Sequence, residues 1–432
     1  MDSIWKNDVK MPQFLPLEGD LTTDVLVVGG GLAGLLCAWN VSRAGADCVL
    51  IEQNRLMGGV SGRTTAKLTA QHGLIYHKLM KKYGPDTARL YWQANQDALE
   101  KYLELAREAD FDLSPRNSYL YATGDTEKLK AEMRACEALG IPARWEEKLE
   151  LPFPVTGAVC FPEQAQFHPM KLAAHLAKNL RVYENTKALE FAPNRVRTPG
   201  GMITAKKIIV ATHFPLLNKH GGYFLKLYQQ RSYVIALKNA PRVEGMYLDC
   251  EDNGLSVRGA GEYLLLGGGG HRTGKQGLNW KMPEMAAETY FPQGKIAARW
   301  ATQDCMSLDG MPYIGTYSKA TPGLYVATGF NKWGMSSAMA AATILTDLIQ
   351  GKENPYADIF SPRRSILHRQ LLCNGLESAA NLLCPTKPRC PHLGCALKWN
   401  KAEHSWDCPC HGSRFDEQGE RLNGPATGDL KK

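Results

Sequence analysis

The sequence predicts an α/β protein with an interleaved α+β region and a small β unit at its C-terminal end. Residues 23–53 read as a strand, a glycine-rich turn, a helix and a second strand, which is the pattern of a buried parallel sheet. Residues 75–110 and 125–140 have helical periodicity, and the stretch between them, 117–123, reads as a strand. Residues 390–415 contain four cysteines and three histidines among glycines, which predicts a metal site there.

Length, charge and terminal composition narrow the class of protein. The chain has 432 residues, of which 44% are hydrophobic and 22% charged, so it can form two or three globular domains. The net charge of +8 is scattered, with basic clusters no longer than pairs such as Lys81-Lys82, so no nucleic-acid partner is expected. The start lacks the pattern of a secretory signal, and no apolar run reaches ~18 residues, which predicts a cytoplasmic protein without a membrane span.

The stretch TDVLVVGGGLAGLLCAWNVSRAGADCVLIEQ, at 23–53, carries a phosphate-binding signature. Gly29, Gly31 and Gly34 form G-x-G-x-x-G between an apolar strand and a helix, and Glu52 ends the next strand. The glycines permit a tight turn, the approach of backbone N–H groups to a pyrophosphate, and close packing of the helix on the strand. The acid would accept hydrogen bonds from an adenosine ribose. This context predicts a Rossmann-like dinucleotide-binding unit.

Later stretches distinguish FAD from NAD. MGGVSGRTTAKLTAQHG (57–73) is a second loop of glycine, hydroxyl and basic residues, and it resembles the flavin-contacting loop of the D-amino-acid oxidase (DAO) superfamily of FAD enzymes. AKKIIVATH (205–213) resembles the strand before the family's Ala-Thr-Gly turn, with His213 where glycine is usual. LDGMPYIG and GLYVATGFNKWGMSSAMAAA, within 308–342, resemble its closing motif. No second G-x-G-x-x-G occurs, so a dedicated NAD(P)H domain is not expected.

The resemblance implies FAD as the cofactor and a discontinuous domain arrangement. The FAD-binding domain would comprise 15–75, 155–215 and 300–355, and the substrate domain 76–154 and 216–299. The positions carried over as FAD contacts are Gly29, Gly31, Ala33, Gly34, Glu52, Gln53, Arg63, Thr64, Thr65, Ala188, Gly329, Trp333, Gly334, Met335 and Ser336. Amides at the start of the last helix would stabilise negative charge on the reduced flavin ring.

The sequence gives weaker evidence for catalytic residues than for cofactor-binding residues. His271 and Arg272 follow the glycine run 267–270, at a place where family members approach the flavin, and they are the catalytic candidates. The alternative is a surface pair at the end of a strand. The glycine run itself suits a flexible hairpin or a close approach of backbone to the flavin. Further candidates, for which packing is the alternative, are Tyr228, Tyr233, His72 and His168.

One departure from the family pattern bears on the substrate. Members that oxidise amines and amino acids often place an arginine five residues before the aspartate of the D-G-x-P motif, where it binds the substrate carboxylate. Asp304 occupies that position here, and an aspartate would repel a carboxylate. A standard amino acid is therefore not the expected substrate. An amine, another cationic compound or a quite different small molecule is compatible with the sequence, and an amine is the one predicted.

The C-terminal stretch CPHLGCALKWNKAEHSWDCPCHGSRF offers two Cys/His pairs. Cys390 and His392 form the first pair, and Cys408 and His411 the second. Spacing alone allows either a structural zinc or an iron–sulfur cluster. CPHLGC and CPCHGSRF resemble the two cluster-binding loops of Rieske proteins.

The Rieske resemblance implies a [2Fe-2S] cluster in a unit covering 362–432. Cys390 and Cys408 would bind one iron, and His392 and His411 the other. It also implies a disulfide between Cys395 and Cys410 that ties the two loops together. Rieske domains have several strands before the first loop, whereas RRSILHRQLLCNGLESAANLLC reads as a helix here, so the basal sheet is expected to be absent or reduced. A second disulfide, between Cys373 and Cys384, or two buried thiols are both compatible with the sequence.

The two predicted cofactors together indicate an oxidoreductase. FAD takes electrons in pairs and a Rieske cluster takes them singly, so joining them suits a dehydrogenase with a small-molecule substrate and a one-electron acceptor, either a protein or a quinone-like molecule. The same parts could run in reverse as a reductase. Two alternatives remain open: a redox sensor without rapid turnover, and a flavoenzyme with a structural zinc tail.

Overall fold

A computed structural model describes residues 2–218, 220–252, 254–385 and 388–430. In these ranges the strands are β1 (Leu21–Val28), β2 (Cys48–Ile51), β3 (Lys67–Leu68), β4 (Ser114–Ala122), β5 (Arg144–Glu146), β6 (Gly157–Gln166), β7 (Arg181–Tyr183), β8 (Glu190–Ala192), β9 (Arg195–Thr198), β10 (Gly201–Val210), β11 (Leu227–Lys238), β12 (Met246–Asp249), β13 (Ser256–Ala260), β14 (Tyr263–Arg272), β15 (Lys295–Ser307), β16 (Tyr313–Thr316), β17 (Leu324–Thr328), β18 (Lys398–Asn400), β19 (Ser405–Asp407), β20 (Arg414–Phe415) and β21 (Arg421–Asn423).

Among the helices of the same ranges are those predicted at 75–110 and 125–140, the first of which is divided in two at Gly84. The helices are α1 (Leu32–Arg43), α2 (Tyr76–Tyr83), α3 (Pro85–Glu108), α4 (Glu127–Leu139), α5 (Pro169–Ala177), α6 (Tyr223–Lys226), α7 (Lys281–Tyr290), α8 (Gly334–Ile349), α9 (Ala357–Phe360) and α10 (Arg369–Leu383). Short 3-10 helices cover Ile4–Lys6 and Val60–Arg63. None of these helices is both long and apolar enough to cross a membrane.

The first sheet has the strand order β16-β17-β10-β1-β2-β7, with β9 beside β10 and β8 beside β9. Strands β17, β10, β1, β2 and β7 run parallel. The apolar run in β1 buries both of its faces, because Val25 and Val27 join the core that includes α1 and α8, whereas Leu26 and Val28 join a second core. This is the doubly covered parallel sheet that the sequence predicts.

The second sheet has the order β15-β11-β14-β13-β12-β4-β6-β3, with β5 beside β6. It is antiparallel except for the parallel pair β4 and β12. Strands β3 and β6 belong to this sheet, although the predicted boundaries place 15–75 and 155–215 in the FAD-binding domain. The boundaries cut across the pairing because β4–β6 hydrogen bonds join distant segments, and no local pattern reports such a partner.

The glycine run 267–270 lies inside β14 and is not a flexible hairpin. Gly267 pairs with Ser256 on one side and Val234 on the other. Gly269 has φ of +64°, and a Cβ added there would lie 2.1 Å from the carbonyl oxygen of Asn279. The glycines therefore allow a second backbone to pack closely against the strand.

The C-terminal unit contains a four-stranded antiparallel sheet in the order β18-β19-β20-β21. Each strand is only two or three residues long, and α10 precedes the first Cys/His loop, as the helical reading of that segment predicts. Cys373 lies on α10 and Cys384 caps its end, eleven residues later. A helix separates Cα atoms at that spacing by about 16 Å, which exceeds the reach of a disulfide, so the Cys373–Cys384 bond is ruled out.

The contact between α1 and β1 depends on Gly34. A Cβ at Gly34 would lie 1.8 Å from the carbonyl oxygen of Gly29, which is a backbone atom and not the end of a flexible side chain. We expect Gly34→Ala to reduce the free energy of unfolding by ~1–3 kcal/mol and to lower the FAD content of the purified protein. Gly124→Ala is the matched control, because a Cβ at that exposed turn meets nothing within 4 Å. Thermal unfolding and the FAD-to-protein ratio test this expectation, and equal behaviour of the two variants would contradict it.

Candidate functional site

A cavity of about 1250 Å³ opens where β1, β10 and β17 end and extends beneath the second sheet. Most of the predicted FAD contacts line it. These are Gly29, Gly31, Ala33, Glu52, Gln53, Arg63, Thr64, Thr65, Ala188, Gly329, Trp333, Gly334 and Met335. Gly34 and Ser336 lie behind the wall. Gly34 packs α1 against the turn, and the Ser336 hydroxyl lies 3.1 Å from Nε2 of His72.

The turn at 29–34 is shaped for close approach by a ligand. Gly29 has φ of +115°, and a Cβ there would lie 2.6 Å from the carbonyl oxygen of Ala211. A Cβ at Gly31 would lie 3.0 Å from the hydroxyl oxygen of Ser61, at the cavity wall. The Glu52 carboxylate accepts a hydrogen bond of 2.7 Å from the Gly30 N–H. These features fit the pyrophosphate and ribose of a dinucleotide.

A row of residues in register across the second sheet forms the floor of the cavity. Leu120, Leu248, Ser256, Gly267 and Val234 are consecutive partners on β4, β12, β13, β14 and β11. All five line the cavity. Because Gly267 has no side chain and three of the others are aliphatic, the floor is flat and apolar except at Ser256.

His72 and Trp333 form an aromatic part of the cavity wall. Their rings are stacked, with centroids 4.7 Å apart and planes inclined by 14°. Nδ1 of His72 lies 2.7 Å from the Tyr91 hydroxyl. Burial lowers the pKa of His72 to about 3, so this imidazole is neutral.

The two Cys/His loops repeat one backbone arrangement. In the first, the Cys390 N–H donates to the Cys395 carbonyl, and the Gly394 N–H donates to the Cys390 carbonyl, both at 2.9 Å. In the second, the N–H groups of Cys408 and Gly412 form the corresponding bonds to the carbonyls of Ser413 and Cys408. Both glycines have φ near +80°, which explains glycine at the fifth position of each loop.

Each histidine of the two loops has an unprotonated ring nitrogen, as a metal ligand must. Nδ1 of His392 and Nδ1 of His411 are buried without a hydrogen-bond partner among the described residues. Nε2 of His392 lies 3.0 Å from Oδ1 of Asn218, and Nε2 of His411 lies 3.0 Å from the Phe224 carbonyl oxygen. An N–H on each Nε2 leaves both Nδ1 atoms unprotonated and able to bind metal. Burial lowers the pKa of His392 to about 3 and of His411 to about 4, which keeps both rings neutral.

The sulfur atoms of the two loops lie close to one another. Cys395, Cys408 and Cys410 have sulfur atoms within 4.8 Å of one another, and the Cys390 thiol interacts with that of Cys408. The structure has Cys395 and Cys410 as free buried thiols, so it lacks the disulfide that the Rieske resemblance implies, although it places the two sulfurs in one cluster. One thiol and one unprotonated imidazole nitrogen from each loop, four ligands in all, fit a Rieske iron–sulfur cluster chemically.

The second loop lies directly on the β11 and β15 strands that border the cavity. The Gln229 amide donates to the His411 carbonyl at 2.7 Å, and the Gln303 amide donates to the Gly412 carbonyl at 2.8 Å. A Cβ at Gly412 would lie 2.7 Å from that of Gln229. The loop backbone is therefore held against the floor strands without intervening space.

A buried ion network fastens the C-terminal unit to the second sheet. Glu403 accepts hydrogen bonds from Arg231 on β11, from Arg414 on β20, and from the Tyr233 hydroxyl. Arg414 also bonds Asp407 at 2.8 Å. Although burial opposes ionisation, the two guanidinium groups lower the pKa of Glu403 to about 2, so the carboxylate stays charged.

Phe214 connects the cavity with the two histidines. It is buried, lines the cavity, and follows His213 in the turn after β10. Its ring centroid lies 6.2 Å from that of His392 and 6.4 Å from that of His411, both edge-on. His213 has φ of +67°, which explains why glycine is usual at that position.

His271 and Arg272, the predicted catalytic pair, are placed elsewhere. His271 lies 3.0 Å from the Tyr233 hydroxyl and 2.8 Å from Oδ1 of Asn279. Arg272 donates to the carbonyls of Pro409 and Cys410. Neither side chain lines the cavity, because the end of β14 turns toward the C-terminal unit. The placement of Arg272 supports a role in holding the second loop, and the placement of both residues gives no support to the catalytic prediction.

The remaining candidates divide between the cavity wall and packing. Tyr228 and Tyr233 both line the cavity, and Tyr228 also carries the Arg272 guanidinium 4.9 Å above its ring. His168 caps the start of α5 and packs edge-on against Trp5. Sequence reasoning missed Phe214, Gln229, Arg231 and Gln303. The one available signal was the segment YQQRSY in β11. Polar residues on both faces of a strand indicate that the strand packs against another part of the protein besides the core.

The Arg231–Glu403 ion pair should stabilise far more than an exposed one. Arg231→Met would leave Glu403 buried with one fewer cation, and we expect a loss of ~3–5 kcal/mol. Arg43→Met is the control, since its pair with Glu108 is about half exposed and should contribute ~0.2–1 kcal/mol. Urea denaturation, together with hydrogen exchange of β18–β21, measures both effects. Equal losses, or unchanged protection of β18–β21 in Arg231→Met, would contradict the expectation.

Comparison with known proteins assigns a protein family to each of the two parts of the chain. Residues 24–348 match the model of the DAO family, described as FAD dependent oxidoreductase, and residues 373–432 match the Rieske [2Fe-2S] domain. YhfW of Bacillus subtilis (strain 168), which is named as a Rieske 2Fe-2S iron-sulfur protein, is 34% identical over an alignment of 496 positions that covers 100% of this chain and 97% of YhfW.

Two further comparisons concern the flavoprotein part. Gamma-glutamylputrescine oxidoreductase of Escherichia coli (strain K12) is 27% identical over 384 residues, covering 79% of this chain and 87% of that protein. The crystal structure of glycine oxidase from Geobacillus kaustophilus superposes with a TM-score of 0.68 at 21% identity, covering 80% of this chain and 99% of that one. The chain therefore belongs to the DAO family of FAD-dependent oxidoreductases and carries a C-terminal Rieske domain, so that its cofactors are FAD and a [2Fe-2S] cluster.

Proposed function

We propose that the protein is a dehydrogenase that oxidises a small-molecule amine and delivers the electrons singly, through the Rieske cluster, to an external one-electron acceptor. The observation that carries the proposal is the position of Phe214. One buried side chain both lines the dinucleotide cavity and contacts the rings of His392 and His411. Such an arrangement suits electron exchange inside one chain.

The ligand assignment follows from the donor atoms of the two loops. We assign Cys390 and Cys408 to one iron and His392 and His411, through Nδ1, to the other, since these nitrogens have no other partner in the described chain. Backbone N–H groups of His392 and His411 donate to the sulfurs of Cys390 and Cys408. When bound, FAD supplies two-electron chemistry and the cluster supplies one-electron chemistry.

The chain's own residues hold this arrangement in place. Gln229 and Gln303 bind the backbone of the second loop, and the Arg231–Glu403 pair fixes the sheet behind it. The Nε2 atoms of both histidines are bonded to Asn218 and Phe224 of the flavoprotein part. The imidazole side of the cluster site therefore faces the flavoprotein part of the same chain.

The proposal that the substrate is an amine depends on the negative charge of Asp304, which lies on β15, a strand that contacts the Rieske domain. Asp304 lines the cavity, accepts a hydrogen bond of 2.9 Å from the Ser232 hydroxyl, and would repel a carboxylate at that position. Oxidation of CH–NH to C=N releases two electrons and two protons. Two equivalents of a one-electron acceptor take the electrons, and the protons go to water.

Metal content tests the ligand assignment. We expect two iron atoms and no stoichiometric zinc in each purified chain, together with cluster absorption in the visible spectrum. Cys408→Ser should abolish the iron and leave the FAD content unchanged, because Cys408 lies outside the dinucleotide turn. Cys373→Ser, at an exposed cysteine of α10, is the control and should retain both. Stoichiometric zinc would establish the structural-zinc alternative instead.

An anaerobic spectral screen of small amines tests the function itself. We expect a substrate to bleach the flavin first and the cluster second. Phe214→Leu should slow the second phase severalfold and leave the first unchanged, since it opens a gap beside both histidines. Phe153→Leu, in a core that contains no residue of the two loops, is the matched control. Absence of reduction across a broad panel would favour a redox sensor, and equal second phases in the two variants would remove Phe214 from the pathway.

A further inference from the structure

α10 exposes its apolar face and buries its polar one. The exposed face carries one side chain from each successive turn, and we call this set the leucine stripe: Leu372, Leu376, Ala379 and Leu383. Its three leucines are 69–83% exposed. The buried residues of the helix are Asn374 and Asn381, which lie seven positions apart on the opposite face. Because a surface helix normally turns its apolar face to the core, this reversal indicates that something outside the chain covers the stripe.

Hydrogen bonds fix the polar face of α10 to the rest of the chain. The Arg272 guanidinium donates to Oδ1 of Asn374 at 2.8 Å. At the other end of the helix, the Ala396 N–H donates to the Asn381 carbonyl at 2.9 Å. Turning the leucines inward would break these bonds and leave buried polar groups without partners, which is costly. The helix is therefore held with the leucine stripe facing outward.

The exposed apolar surface continues from the helix to the first Cys/His loop. Leu367, just before α10, and Leu382, at the side of the stripe, are both exposed. A Cβ added to Gly394 of the loop would lie 3.9 Å from Cδ2 of Leu382, so the loop lies against this side of the helix. Leu393, the neighbour of Gly394, is exposed as well. The apolar surface therefore borders a loop that carries ligands of the cluster.

The same part of the chain is strongly basic. Residues 361–402 contain seven lysines and arginines and a single acid, Glu377, which pairs with Lys275 at 2.6 Å. The exposed basic residues of this segment that have no ion pair among the described residues are Arg363, Arg369, Lys398 and Lys401. Arg369 precedes Leu372 by three positions on α10, so it lies beside the stripe. An apolar stripe with basic flanks is the pattern of a helix that lies in the surface of an anionic membrane.

A second copy of the chain fits this surface less well. Pairing two stripes about a two-fold axis would bring the basic flanks of both copies together. Because Glu377 is already paired with Lys275, this repulsion would have no compensating acid from the segment. Acidic lipid headgroups would offset the same charges, and acyl chains accept leucines without a matching surface. The 15 residues of α10 extend about 22 Å, which suits a helix that lies along the membrane surface.

We propose that the leucine stripe and its basic flanks bind the protein to the surface of an anionic lipid membrane. The leucines enter the boundary between headgroups and acyl chains, and Arg369 lies at the level of the phosphates. Because Leu393 extends the apolar surface to the first Cys/His loop, the membrane lies next to that loop. The inference goes beyond the proposed function, since it requires neither amine oxidation nor electron transfer.

The test is flotation of the full-length holoprotein with lipid vesicles. One set of vesicles contains phosphatidylcholine alone, and the other contains phosphatidylcholine with phosphatidylglycerol. We expect wild type to bind the anionic vesicles about tenfold more tightly than the neutral ones. Leu383→Ser should weaken binding to the anionic vesicles about tenfold without changing the charge of the protein. Leu15→Ser is the matched control, because Leu15 is 82% exposed against 83% for Leu383 but lies outside the stripe.

Flavin and cluster absorbance shows whether each variant keeps its cofactors, and Leu376→Ser is a second variant with the same expected effect. Equal binding of anionic vesicles by wild type and by both stripe variants would overturn the proposal, since the net positive charge alone would then explain adsorption. Absence of vesicle binding in wild type would also overturn it. In that case sedimentation velocity would identify a second copy as the occupant if wild type is a dimer and Leu383→Ser a monomer. A monomeric wild type would point to a different protein as the occupant.

Discussion

The arrangement of the molecule depends on a buried carboxylate held between two arginines that come from different parts of the chain. Glu403 joins Arg231 of the second sheet to Arg414 of the Rieske sheet, and both guanidinium groups are almost completely buried. Buried charges of this kind tolerate little displacement, since separating them leaves an unpaired ion in a poorly solvated place. The pair therefore defines one orientation of the Rieske domain on the flavoprotein.

That orientation turns the histidines inward. With the second loop held by Gln229 and Gln303, His392 and His411 contact Phe214, which also borders the dinucleotide cavity. The small Rieske sheet, with strands of two or three residues, gains part of its support from this contact. α10 replaces the strands that usually precede the first loop, and the β11 and β15 strands cover the second loop. The small size of the Rieske domain and its fixed position on the flavoprotein are thus two results of the same packing.

Sequence motifs were most informative where the residues that act together are neighbours in the chain. Three such features are local: the glycine turn at 29–34, the turn at His213 with its left-handed backbone conformation, and the paired Cys/His loops. Residue spacing was therefore informative about them. The contacts between domains could not be predicted from the sequence, because Arg231 and Glu403 are 172 residues apart and each looks like an ordinary surface charge. His271 and Arg272 were linked to the flavin by their position after a glycine run, whereas Arg272, at the end of β14, donates to carbonyls of the second Cys/His loop.

Electron transfer within one chain is the claim that most of this account depends on, and photoreduction tests it without knowledge of the substrate. The oxidised holoprotein would be reduced anaerobically by a light pulse at the flavin, and flavin and cluster absorbance followed at several protein concentrations. A fixed contact through Phe214 predicts that cluster reduction is first-order, with a rate constant independent of protein concentration. A rate that rises in proportion to concentration would show transfer between molecules and would contradict the account.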